Sequence, residues 1–199
     1  MTTTRPTTAA TSATAARTTA GSTTTLTGER ADLVESLRRH RGFLLTTVQN
    51  LSDEQARERS TVSELTLGGL VKHVTQTEAQ WATFMREGAG TAPDIDWESI
   101  DWSNPPAEVR AFQDSHRLLD DETLAHWVEE YERVAAATDE LVATLDLDTR
   151  HDLPRAPWFE PGAQWSVRRA VLHIIAETSQ HAGHADIIRE SIDGQKTMG

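Results

Sequence analysis

Near its C-terminal end the chain reads "ETSQHAGHADII", from Glu177 to Ile188, within a segment otherwise rich in Ile, Val, Leu and Ala. Glu177, His181 and His184 stand together there, and His173 lies four residues before Glu177. An α-helix turns about 100° per residue, so with Glu177 at zero His181 falls near +40°, His184 near −20° and His173 near −40°. On the same count Ile174 and Ile192 fall at about +60° and Ile187 at about −80°, with Ile188 inside the stripe. Polar groups bracketed by isoleucine face a bundle interior or a cleft, not open water.

Burying three imidazoles and a carboxylate without partners costs several kcal/mol, so something must satisfy them. One answer is a mutual hydrogen-bond network in which Glu177 holds a protonated histidine. The other is a divalent metal taking Glu177 Oε and His181 Nε2 from successive turns, since an i, i+4 pair on a helix converges on one ion. A catalytic zinc generally has three protein ligands and an open position. The third candidate is His73 in "GGLVKHVTQTEAQW". Thr77 and Gln80 share its helix face, whereas Glu78 lies about 140° away and is the weaker ligand candidate. Gly68 and Gly69, one turn before His73, would let another helix backbone approach closely.

Positioning these groups requires long helices, and the chain encodes four. "ERADLVESLRRHRGFLLTTVQNL" places Leu33, Leu37, Arg41, Leu44, Val48 and Leu51 three or four apart on one amphipathic face. Ser52 and Gln55 fit a capping box that opens a short helix. A second long helix is predicted over residues 67–85, ended by Gly88 and Gly90. A third runs from near Asp121 through Leu145, and the fourth opens on Ser166 as N-cap and stops at Asp193-Gly194. Between Gly88 and Leu119, "APDIDWESIDWSNPP" reads as an irregular loop, either a lid or a surface connection whose Trp97 and Trp102 pack on the bundle. "LPRAPWFEPGAQW" makes another Pro-rich aromatic connection, and no segment has convincing strand alternation.

The expected fold class is therefore all-α: a four-helix bundle over residues 28–199 behind a disordered Thr/Ala-rich tail at residues 1–27. The long second connection permits an up-down-down-up arrangement. With a formal net charge of −12, the 199-residue chain repels phosphate backbones and anionic lipid, so no nucleic acid and no membrane partner is expected. No apolar run approaches the roughly 20 residues of a membrane span, and no secretory leader is visible, which makes the cytoplasm the expected location. There is no cysteine, so a Cys zinc site and a cysteine nucleophile are excluded, and any reacting thiol must come from another molecule.

"LGGLVKHVTQTEAQW" and "VLHIIAETSQHAGHADIIRE" together resemble the DinB/YfiT-like superfamily. The nearer likeness is to its branch related to mycothiol-dependent maleylpyruvate isomerase and mycothiol S-transferases. It covers the chain from about Leu26 to the end. The resemblance implies a DinB-like bundle binding a divalent metal, often zinc or nickel, through one ligand on the second long helix and two on the fourth. Carried over by position, the metal ligands are His73, Glu177 and His181. The common fourth-helix form is HxxxHRG; "ETSQHAG" puts Glu177 where the first His would stand, matching the His, Glu, His set of the isomerase branch. Such a set around a divalent ion leaves a charge of about +1, suited to holding water or thiolate. His184 has no equally clear ligand counterpart and is a candidate to act as acid or base, to position a water or to support the ligands, while His173 either supports the ligands or is a satisfied core residue. His116, in a loop region, is expected to lie outside the metal set, so that His116→Ala should leave metal binding intact. The likeness does not extend to the isomerase's separate C-terminal domain, and maleylpyruvate isomerisation is not the activity expected.

The function expected from the resemblance is a metal-dependent S-transferase that joins a low-molecular-weight thiol, mycothiol, to a small-molecule electrophile. Two competitors stay open: a hydrolase using metal-bound hydroxide, and a non-catalytic metal-binding stress-response protein in which the metal only staples the helices. Trp81, Trp158 and Trp165 are candidates for the mouth of the cleft or for ordinary packing. An exposed helix face could pair two copies into a homodimer.

Overall fold

Apolar residues at spacings of three and four cannot be buried by one helix alone, and here four long helices bury them against one another. The computed structural model describes residues 1, 2, 26–90, 99–156 and 158–197. The expected tail falls largely on residues 3–25, and Trp97 on 91–98; both lie outside the described residues. The long helices are α1 (Glu29–Thr47), α3 (Leu67–Glu87), α5 (Leu124–Thr144) and α6 (Val167–Asp193). Short α2 (Asp53–Arg57) follows α1, and α4 (Ala107–Asp114) lies in the connection between α3 and α5.

The predicted boundaries are set by local chemistry. Ser52 and Gln55 form the expected capping box, with Gln55 N–H donating to Ser52 Oγ at 3.3 Å and Ser52 N–H to Gln55 Oε1 at 3.1 Å. The first long helix stops at Thr47 rather than continuing to Leu51, because Asn50 turns the backbone with φ +60° just before that box. Thr66, Thr123 and Ser166 each accept a hydrogen bond from the N–H three residues on, which opens α3, α5 and α6. Gly88 and Gly194, both at positive φ, close α3 and α6.

Side-chain pairs between helices give their directions. Arg168 near the start of α6 bonds Glu29 at the start of α1, and Arg189 near its end bonds the Thr47 carbonyl, so α1 and α6 run parallel. Arg30 bonds the Val142 and Leu145 carbonyls, which makes α1 and α5 antiparallel. Lys72 at the start of α3 pairs with Glu122 just before α5, so those two run parallel. His73 meets His181 while Trp81 meets His173, so α3 and α6 are antiparallel. The order is up-down-down-up, with the long crossover carrying the chain back along the bundle from α3 to α5.

Two apolar cores fill the bundle. One gathers Leu44, Leu67, Leu70, Leu124, Ala185 and Ile188; the other gathers Leu37, Phe84, Met85, Val142, Val171 and Ile174. Between them lies a buried polar layer. Arg41, placed on the apolar face by its spacing, donates Nε–H to Glu78 Oε2 at 3.2 Å and Nη1–H to Asp139 Oδ1 at 2.8 Å. The same pairing explains why Glu78 points away from His73.

Three further features depart from the sequence reading. The connection after α3 contains the helix α4 instead of being wholly irregular. The aromatic connection before α6 is a two-stranded antiparallel ladder, β1 (Arg150–Asp152) with β2 (Gln164–Ser166), in which His151 faces Trp165. Three-residue strands are too short to leave an alternating pattern. Trp102 does not pack on the bundle; it is 60% exposed on a turn closed by Ser103 N–H donating to Asp101.

A candidate metal centre between α3 and α6

Because α3 and α6 run antiparallel and adjacent, His73 of α3 faces the His173–His184 stripe of α6. His73, Glu177 and His181 each offer one ligand atom, and these atoms lie within 4.8 Å of one another. All three side chains are half-buried, so the stripe lines a cleft. Glu177 sits between two histidines of its own helix, with His181 Nε2 at 3.5 Å and His173 Nε2 at 3.6 Å. Of the helix-mates of His73, Thr77 is half-buried and Gln80 is exposed.

The electrostatics suit a cation ligand set. Burial, reinforced by His116 and His181, lowers the His73 pKa to about 4, so this imidazole is neutral and its lone pair free at neutral pH. A hydrogen bond from His181 is the main cause holding the Glu177 carboxyl below its ordinary range, against burial. Burial likewise lowers His173. Two imidazoles and one carboxylate form a donor set that zinc and nickel accept. His181 Nδ1 and His184 Nδ1 are buried without a hydrogen-bond partner among the described residues, which places polar demand on this cleft beyond what those residues supply.

His184 stands one step outside the three, its ring centroid 5.6 Å from that of His181. His116 is not among the convergent donors, but no motif in the sequence placed it beside them. Its ring stacks on His73, with centroids 3.9 Å apart and planes 24° apart, so it lies against the site instead of away from it. The one local signal for this was the Gly68–Gly69 pair. A Cβ on Gly69 would lie 2.0 Å from the His116 carbonyl oxygen, and one on Gly68 2.8 Å from Leu118 Cδ2. The backbone that approaches Gly69 belongs to the turn after α4, and the one near Gly68 is the Ala56 carbonyl of short α2, so neither belongs to another long helix.

At the other end of the stripe, Trp81 and Trp165 stack at 4.8 Å, and His173 meets both edge-on at 4.8 and 5.0 Å. Arg169 covers Trp165 at 3.9 Å. Trp158 lies farther out and is 62% exposed.

The sequence profile of the mycothiol S-transferases, a DinB/YfiT-like family, matches residues 32–194, which is nearly the whole bundle. The chain belongs to the mycothiol S-transferase family. Among solved structures, the crystal structure of a conserved protein from Enterococcus faecalis has the same fold, with a TM-score of 0.59 at 13% identity. That likeness covers 85% of this chain and 100% of the other. No curated protein matches. Among the described residues no helix is long and apolar enough to cross a membrane.

Proposed function

We propose that this member of the mycothiol S-transferase family is a metal-dependent enzyme that transfers a low-molecular-weight thiol, mycothiol, to a small electrophile in the cytoplasm. The carrying observation is the convergence of His73, Glu177 and His181 within 4.8 Å from two antiparallel helices. A chain without cysteine needs its sulfur from a cosubstrate, which agrees with that family.

His73, Glu177 and His181 would hold the ion, zinc or nickel. When bound, the ion supplies positive charge that favours thiolate over thiol at neutral pH. The chain's own groups do the rest. Glu177 stays ionised beside its two histidines, and neutral His73 keeps its lone pair available. His184, beside His181, accepts the thiol proton. The sulfur lone pair forms the new C–S bond as the electrophile's leaving group departs with its bonding pair. An activated double bond instead takes a proton back at carbon. Trp81 and Trp165 wall the cleft beyond His173 and exclude water from that side.

The test has two stages. Elemental analysis after dialysis against a weak chelator should find about one divalent ion per wild-type chain, sharply reduced in Glu177→Gln and His181→Ala. Mycothiol with a chromogenic electrophile should then give conjugate with wild type and none with Glu177→Gln. Retained stoichiometric metal in both variants would overturn the ligand set. Electrophile consumption independent of thiol would replace transfer with hydrolysis.

A further inference from the structure

Among the described residues, the connection between α3 and α5 reaches the candidate centre through the turn at residues 115–118. It does so at backbone level. Gly69 stands four residues before His73 and so shares its helix face. The His116 carbonyl occupies the space a side chain at Gly69 would need, and Leu118 fills the corresponding space over Gly68. The turn is also tied down at the neighbouring residue. Lys72 Nζ donates to the Arg117 carbonyl at 3.2 Å and to both Glu122 oxygens at 2.8 and 2.9 Å. Glu122 in turn accepts the Leu119 N–H at 2.8 Å. Ser115 is buried, and its hydroxyl is in hydrogen-bond contact with His116 Nδ1 at 3.1 Å.

These anchors hold the His116 ring face-on against His73, while the His181 ring meets His73 at 82° with centroids 4.9 Å apart. His73 is therefore confined on one face by a parallel ring and at another side by a perpendicular one. An imidazole lone pair lies in its ring plane, so small rotations about the side-chain torsions move it off a shared ion. Stacked, nearly parallel rings direct their lone pairs alongside each other rather than to one point. In keeping with this, the convergent donor group comprises His73, Glu177 and His181 and not His116.

We propose that His116 is a positioning residue of this centre: the turn docked on Gly68–Gly69 sets the ring of His73 and thereby couples the α3–α5 connection to metal binding. The proposal rests on the metal reading above. It implies reciprocity, because a contact that favours the ion is itself favoured by the ion. Metal loading should slow amide exchange in residues 115–118.

The experiment is zinc affinity by competition with a chromophoric chelator, together with the absorption spectrum of the cobalt-substituted protein, on wild type, His116→Ala, His116→Phe and Gly69→Ala. Far-UV circular dichroism checks that each variant is folded. His116→Ala should weaken zinc binding by about 10–100-fold, the usual effect of removing a group that orients a ligand, and should alter the cobalt spectrum. His116→Phe keeps a stacking face without nitrogen and should restore both. Gly69→Ala alters no ligand atom and should weaken zinc as His116→Ala does. Wild-type affinity and spectrum in folded His116→Ala would overturn the proposal. So would His116→Phe binding as weakly as His116→Ala, because a nitrogen and not a ring face would then be what matters. If Gly69→Ala does not fold, the two His116 variants decide. Wild type without metal would end the metal reading and this proposal together, whereas metal-replete wild type matched by His116→Ala ends only this one.

Discussion

Replacing a helical glycine by alanine ordinarily stabilises a protein by about 0.5–1 kcal/mol, because glycine loses more backbone freedom on folding. Gly42 in α1 is such a position: a Cβ there would meet nothing within 4 Å. At Gly69 the sign should reverse. The new Cβ would lie 2.0 Å from the His116 carbonyl oxygen, so the turn must retreat by about 1.4 Å to reach ordinary contact. Forcing extra volume into a packed site costs about 1–3 kcal/mol. The retreat also disturbs the Lys72 bond to the Arg117 carbonyl and the stack on His73. With mid-range values, about 2 less about 0.75, Gly69→Ala should be less stable than wild type by about 1 kcal/mol. For a domain of this size that lowers Tm by about 2–4 °C, whereas Gly42→Ala should raise it by about 1–4 °C. Thermal and urea unfolding of chelator-treated protein, followed by far-UV circular dichroism, measures both. A Gly69→Ala protein melting at or above wild type would refute the close approach on which the reversal depends.

Glu78→Ala should cost about 3 kcal/mol in urea unfolding, since it leaves the Arg41 guanidinium, whose side chain is 6% exposed, with Asp139 as its remaining ion-pair partner among the described residues. A loss under about 1 kcal/mol would show that Asp139 and water suffice. Ser166→Ala removes the acceptor of the Arg169 N–H at the start of α6 and should cost about 1 kcal/mol. Stability of the metal-free protein should fall with pH between 6.5, where an unfolded histidine takes its proton, and about 4, where folded His73 does. The sign follows from the depressed pKa: in that window the unfolded chain binds the additional proton. His173 acts in the same direction. A Tm-against-pH profile no flatter in His73→Leu than in wild type would remove His73 as a source of the slope.

The long helices were legible because their determinants are local. Leu33, Leu37, Arg41 and Leu44 share a face through i, i+4 geometry alone, and Ser52 and Ser166 cap helices with hydrogen bonds spanning three residues. The pairing of Glu177 with His181, and their common face with His173, belong to the same category. His73 joined them by resemblance, not by spacing, since no periodicity says which helix lies opposite. Helix direction, the α4 segment, the β1–β2 pairing and the approach of His116 were decided only by tertiary structure. Each depends on contacts between residues distant in sequence, such as Gly69 with His116 or Arg168 with Glu29, and those form only when the bundle closes. A glycine pair can announce that some backbone comes close, but which backbone it is depends on where the crossover must turn to return the chain to the start of α5.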